Sequence, residues 1–280
     1  MQNVTISVTI VDMERPGQVA VRAPDAADWA LSRGLGSLTG AELADALGVP
    51  EGQVRQRLQA PSRRGEWVMP VRGLWVPVPP EFRTWGAPPG IELVDAMMRH
   101  LGAGYYVGWL TAAGMHGAAH QAPQVFQVAV SREVRDRTVG RTRFVFAQRD
   151  VAAIPTIGHP TRSGVARVSS VAATAFDVAD DVRLAGGIDN VATVILELAE
   201  LDTFAIADVV TLAPRFPAAA GRRLGWVLAR FAERDDLGPL HAAVRDASRA
   251  PSRLDPSQPA AGPVDVEWML YLNRDVEPDA

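Results

Sequence analysis

Residues 37–58, SLTGAELADALGVPEGQVRQRL, leave little freedom in how this part of the chain can fold. Thr39 followed three residues later by Glu42 is the pattern of a capping box, in which a hydroxyl and a carboxylate satisfy the first free amides of a helix. Leu43 and Leu47 then share one face at i, i+4, and Gly48 supplies the stop. Only Val49 and Pro50 separate that stop from a second helical pattern, in which Val54 and Leu58 repeat the spacing. Two short helices joined so tightly must cross and close their apolar faces on each other, which is the geometry of a helix-turn-helix. The flanks agree with this. DAADWALSRG, from Asp25, suits a short preceding helix, and EWVMPVRGLWVPV, residues 66–78, reads as two strands turning at Arg72-Gly73. Three helices and a hairpin in this order predict a winged helix-turn-helix.

The last of these helices is expected from about Pro50 to Gln59 or slightly beyond. At about 100° per residue, with Val54 and Leu58 inward, Gly52, Gln56, Gln59 and Arg63 point outward and Arg55 and Arg57 flank them. Glutamine can pair bidentately with adenine and arginine with guanine, while flanking arginines reach phosphates. Gln53, Arg55, Gln56, Arg57, Gln59, Arg63, Arg64 and Arg72 are therefore the candidate DNA-contacting residues. The plain alternative is a solvated helix face in a small structural module. Charge distribution favours DNA. Residues 52–80 carry five arginines against Glu66, residues 1–51 three against seven acids, and residues 81–280 twenty against 24, so a formal total of -4 conceals a local +4. Local fields, screened over about 8–10 Å, steer polyanions.

A chain of 280 residues accommodates two domains of ordinary size. The expected division is a leader or edge strand over 1–24, with VTISVTIV at 4–11 alternating as a strand; a winged helix-turn-helix over 25–80; a Pro-rich linker over 81–90; and a larger α/β domain over 91–280. The fold class is α+β. Within the larger part, residues 91–102 and 105–117 read as helices, the second mostly apolar. Residues 125–131 and 143–148 read as strands joined by REVRDRTVGRT, with short strands near 153–168. Four helices follow between 168 and 233, then a flexible surface loop at 248–263 and a returning strand at 264–273.

The chain contains neither cysteine nor lysine, and all its 28 cations are arginine. This excludes thiol chemistry, cysteine-containing zinc sites and the usual lysine-bearing phosphate loop. His116 and His120 have the helical spacing of a metal pair but lack a third ligand, and His100 is the only other candidate in reach. GAGYYVG, residues 102–108, reads as a structural turn, and Asp177, Asp180 and Asp181 as a solvated helix end. No catalytic residue, metal site or cofactor is expected, and the chain is not read as an enzyme. No apolar run approaches the roughly 18 residues of a membrane span, and no signal segment opens the chain, so a cytoplasmic location is expected. Six arginines from Arg132 to Arg149, against Glu133 and Asp136, form a second local +4 on an expected hairpin.

The order of parts resembles the AbiEi family, the antitoxins of abortive-infection toxin-antitoxin systems, and its mycobacterial members in particular. The resemblance rests on SLTGAELADALGVPEGQVRQRL leading to VRGLWVPV, then YYVGWLTAAGMHG, VSSVAATAFDVAD and RRLGWVLARF, together covering about residues 28–232. It implies an autoregulator whose winged helix binds inverted repeats in its own promoter, as a dimer on double-stranded DNA. It also implies a C-terminal domain that neutralises a nucleotidyltransferase-like toxin. Arg132, Arg135, Arg137, Arg141, Arg143, Arg222 and Arg223, taken as exposed, are the candidate toxin-binding residues. The alternative is a winged-helix transcription factor whose C-terminal domain senses a small molecule.

Overall fold

In the computed structural model, which describes residues 20–118, 125–162, 164–247 and 250–279, the first unit is built as the capping pattern requires. The strand expected at 4–11 lies outside the described residues. Helix α1 (Ala26–Ser32) leads through the short β1 (Leu38–Thr39) into α2 (Gly40–Leu47). The Thr39 hydroxyl accepts from the Glu42 amide at 3.2 Å, and the Glu42 carboxylate accepts from the Thr39 amide at 2.7 Å. Such a cap is worth about 1 kcal/mol. Gly48 ends α2 at φ 63.

The next helix differs from expectation. It is split into α3 (Glu51–Arg57) and α4 (Gln59–Arg63), with Leu58 between them at φ -88, ψ 3. Pro61 is the cause. It has no N–H to return to Arg57 and its ring would clash with the Arg57 carbonyl in a continuous helix, so it is accommodated in the first turn of a new one. Strands β2 (Trp67–Val71) and β3 (Leu74–Pro77) complete the wing, in a sheet ordered β1-β3-β2. Trp67 and Trp75 meet edge to face at 6.5 Å on the side of that sheet facing α1–α3. Val71, Leu74 and Val76 project from the other side, and they too are buried.

That second burial joins the wing to the rest of the chain. In the Pro-rich segment at 81–90, Pro80–Trp85 form a 3-10 turn, and Ala87, Pro88 and Gly90 are buried. Helix α5 (Gly90–Leu101) packs Leu93, Val94, Met97 and Met98 into one cluster with the wing residues. Strand β4 (Tyr105–Val107) and helix α6 (Trp109–His116) replace the single helix expected over 105–117. The sheet then takes β5 (Phe126–Val130), β6 (Arg137–Val139), β7 (Thr142–Gln148), β8 (Thr156–Thr161) and β9 (Gly164–Ser169), in the order β6-β7-β5-β4-β9-β8. β5 and β7 do not form the expected hairpin. They run parallel, because the connecting arginine-rich segment supplies an extra strand, β6, that reverses the chain outside β7. Parallel neighbours need such a return path.

Alternate residues of β4 and β5 face opposite cores. Tyr105, Val107, Val128 and Val130 point to α5 and the wing, while Tyr106 and Ala129 point to a helical layer. That layer contains α6, α7 (Val171–Asp180), α8 (Ile188–Ala199), α9 (Ile206–Leu212), α10 (Ala218–Phe231) and α11 (Gly238–Ala247). The structure is α+β. Residues 250–279 are not a flexible loop and a single strand. They wrap α10 with a small sheet of β10 (Ser252–Arg253), β11 (Val264–Asp265) and β12 (Leu270–Tyr271), in the order β10-β12-β11. Leu254, Trp268 and Leu270 from this segment are buried. Gly225 permits the approach: a Cβ there would lie 2.0 Å from the Trp268 ring.

Candidate nucleic-acid interface

Two side chains hold α3 and its exit against the first core, Val54 at 2% exposure and Leu58 at 0%. The remaining positions turn outward. Gln53, Arg55, Gln56, Arg57, Gln59, Arg63, Arg64 and Arg72 are all exposed, including Gln59 and Arg63 beyond the break at Leu58. Arg64 differs from its neighbours. Its Nε and Nη2 donate to both carboxylate oxygens of Glu66, at 2.7 and 3.0 Å, and this bond holds its pKa above the ordinary value. Glu66 therefore cancels Arg64 locally. Arg55, Arg57, Arg63 and Arg72 form no ion pair among the described residues. The wing turn that carries Arg72 is anchored from both sides: the Gly73 carbonyl accepts from the Gly40 amide at 3.2 Å, and the Arg72 carbonyl accepts from His100 Nε2 at 3.0 Å. An anchored backbone with a free guanidinium is suited to contact phosphates without having to order a loop first.

The arginines expected to meet a toxin divide into two groups. Arg132, Arg135, Arg141 and Arg143 are exposed and Arg137 is half-buried. Arg132 reaches the Leu101 carbonyl. Arg137 donates to the Pro70 carbonyl at 3.3 Å and lies over the Phe146 ring, and burial lowers its pKa. Arg222 and Arg223, by contrast, are interior, at 0% and 5% exposure, and their assignment to an exposed surface is corrected. Arg222 Nη1 donates to the Ala250 carbonyl at 2.6 Å and to the Ser252 hydroxyl at 3.0 Å. Arg223 donates to the carbonyls of Arg253, Leu254 and Ala179 at 3.1, 3.0 and 2.8 Å. Burial pushes its pKa down to about 10. The short strands of the tail leave carbonyls without ladder partners, and the rigid fork of each guanidinium satisfies them.

A buried polar centre was not anticipated. Asp177, expected at a solvated helix end, is 0% exposed. It accepts from the Tyr106 hydroxyl at 2.9 Å and lies 3.4 Å from Arg149, which also pairs with Asp180 at 2.8 Å. Burial raises Asp177 to about 7, because desolvation outweighs the attraction of Arg149. The Arg149 guanidinium lies over Trp109 at 4.7 Å, and Trp109 takes φ 49, a left-handed conformation that a bulky residue keeps only where its surroundings hold it. Gly108 precedes it because a Cβ there would come within 2.8 Å of the Asp177 carboxylate.

His100, His116 and His241 have structural partners. His116 Nε2 donates to the Ser169 carbonyl at 2.8 Å, and burial lowers its pKa, while His120 lies outside the described residues. No group of three metal-ligating side chains occurs among the described residues. Gly102, in the glycine-containing turn, ends α5 at φ 63 and feeds β4. No described helix is long and apolar enough to cross a membrane.

The fold is similar to that in the crystal structure of the RV2827C protein from Mycobacterium tuberculosis, with a TM-score of 0.63 over 90% of this chain and 92% of that one at 15% identity. Identity this low speaks for the fold alone. A search of curated proteins finds no match. Residues 106–229 match the family model described as the AbiEi antitoxin C-terminal domain. This span runs from Tyr106 of the buried polar centre, through β5–β9, to Ala229 near the end of α10. The resemblance read from the sequence therefore holds over residues 106–229, which are similar to the AbiEi antitoxin C-terminal domain.

Proposed function

We propose that this chain is the antitoxin of a toxin-antitoxin system and represses its own operon in the cytoplasm. The domain match supports an antitoxin role. In our reading the winged helix-turn-helix, residues 25–80, binds inverted repeats in the promoter, and residues 91–280 neutralise a nucleotidyltransferase-like toxin without catalysis. Gln53, Gln56 and Gln59 read base edges, and Arg55, Arg57, Arg63 and Arg72 hold phosphates, while Arg64 is engaged by Glu66. The observation that carries the DNA half is the outward side of α3 and α4, where exposed amides and guanidinium groups stand with no carboxylate paired to Arg55, Arg57 or Arg63 among the described residues.

The physical division of labour follows from the chemistry of each side chain. A glutamine amide offers a donor and an acceptor to adenine in the major groove, whereas an arginine on a phosphate carries no sequence information. Gel shifts on the DNA upstream of the chain's own gene test this directly. Binding should exceed that to random duplex. Gln56→Ala should relax sequence preference, and Arg72→Ala should weaken binding evenly across sequences. Two protomers each neutralising about four phosphates give a log-log salt slope near about -7. Equal affinity for upstream and random DNA would defeat the regulatory half, and failure to rescue cells expressing the neighbouring toxin would defeat the other.

A further inference from the structure

A series of contacts brings the basic hairpin of the larger unit against the wing. Arg137 donates to the Pro70 carbonyl in β2, the edge strand of the wing sheet. Arg132 reaches the carbonyl of Leu101, next to the His100 ring that holds the Arg72 carbonyl. At the other end of β2, Arg141 lies over the Trp85 ring at 5.8 Å, in the same turn as Arg83, whose carbonyl a Cβ on Gly65 would approach to 3.2 Å. Hairpin β6–β7 therefore runs beside β2, from the exit of α4 to the wing turn. Thr138 pairs with Arg143, and both are exposed, while Val139 and Phe144 are buried.

Among the described residues, the arginines of the larger unit fall into paired and unpaired sets, and those of this hairpin belong to the second, as do Arg183 and Arg215. Arg149 pairs with Asp177 and Asp180, Arg162 with Glu81, Arg234 with Asp236 and Arg274 with Asp189. Arg135 and Arg143 form no ion pair among the described residues, like Arg55, Arg57, Arg63 and Arg72. Asp136, the acid beside Arg135, has its carboxylate turned to the Phe146 amide at 3.0 Å. Apart from Trp85, the exposed large apolar side chains among the described residues, Ile157, Val165, Val264 and Val266, lie on other strands and turns. Protein interfaces are centred on a desolvated apolar patch, whereas a phosphate backbone asks for cations on a polar surface.

The geometry points to β6–β7 as a second wing. Arg135, Arg141 and Arg143 continue the phosphate track that begins at Arg72, so that the larger unit grips DNA beyond the half-site read by α3. This rests on the DNA-binding reading above, and it assigns these arginines to the duplex in place of the toxin.

The test uses the full chain and two duplexes from upstream of its own gene, one ending at the inverted repeat and one extended by about ten base pairs, roughly a helical turn, on each side. Fluorescence anisotropy should show the longer duplex bound more tightly and with a steeper salt slope. At about 0.15 M salt, counterion release makes each lost phosphate contact worth about fivefold. The double variant Arg135→Gln, Arg143→Gln should therefore bind the longer duplex about 30-fold more weakly and the shorter one as before, with an unchanged urea midpoint. If the variant binds both duplexes as the unaltered protein does, the second wing is overturned. The same holds if its one defect is failure to rescue cells from the toxin, since the arginines then serve a protein partner. An unaltered protein with no preference for upstream DNA overturns the underlying reading as well.

Discussion

Replacing Gly225 by alanine sets two opposed effects against each other inside α10. Alanine is favoured over glycine in a helix interior by about 1 kcal/mol. Against that, a Cβ at Gly225 would lie 2.0, 2.2 and 2.6 Å from three carbons of the Trp268 ring, where carbon atoms rest at about 3.5–4.0 Å. Trp268 is 2% exposed and stands edge-on to His241 at 5.4 Å, so the indole has nowhere to yield. The helix and tail must move apart, at about 1–3 kcal/mol for overpacking, or the ring must leave, at about 3–5 kcal/mol as when a buried tryptophan is truncated. Net of propensity, the expected loss is about 0–2 kcal/mol by the first route and about 2–4 kcal/mol by the second. Gly52→Ala makes the same change on α3, where nothing lies within 4 Å of the new methyl. Propensity then acts by itself and stabilises by about 0.5–1 kcal/mol. Urea denaturation followed by circular dichroism should shift the two midpoints in opposite directions. A Gly225→Ala protein at or above the original midpoint would refute the argument that the tail is seated directly on the bare backbone of α10.

Two further expectations concern the interior charges. Arg223→Met keeps the packing of the stem but strips donors from the Ala179, Arg253 and Leu254 carbonyls, so stability should fall by about 2–4 kcal/mol and proteolysis within 250–279 should accelerate; unchanged cleavage by mass spectrometry would count against the clamp. Asp177 is raised from 3.8 to about 7, so the folded protein retains a proton that the unfolded chain releases. Its stabilising contribution is complete below pH 3.8 and is lost as pH rises to about 7, at about 1.4 kcal/mol per pH unit, so Asp177→Asn should flatten that decline. Identical slopes over about pH 4–7 for the two proteins would remove Asp177 from the account.

The features legible in the sequence were those whose cause lies within a turn or two of chain. The Thr39–Glu42 cap, the Gly48 stop and the strands on either side of Arg72-Gly73 each depend on neighbours in sequence, and each formed. The break at Leu58 had its signal in Pro61, but the face projection of α3 carried past it without loss because Gln59 and Arg63 remain exposed. What was hidden depends on distant partners. Arg222 and Arg223 resemble surface cations until a tail some thirty positions later brings carbonyls that need donors. Their apolar surroundings in AAAGRRLGW were the available hint. Asp177 finds Tyr106 and Arg149 only through the fold, although an acid within AATAFDVA already sat in a buried pattern. Strand β6 was masked by its charge, since only Val139 of its three residues is buried.

The wing sheet is covered on both faces, and this has a mechanical consequence. A reading head on a loose tether lets its cargo drift to any azimuth around the double helix, whereas here the head is packed onto the body through the second face of that sheet. If the winged helix occupies a half-site as proposed, the bulk of the molecule would stand at one fixed angle about the DNA axis. Since B-form DNA turns once in about 10–10.5 base pairs, lengthening the gap between half-sites by half a turn would carry a neighbouring body to the opposite side of the helix, out of reach of the first.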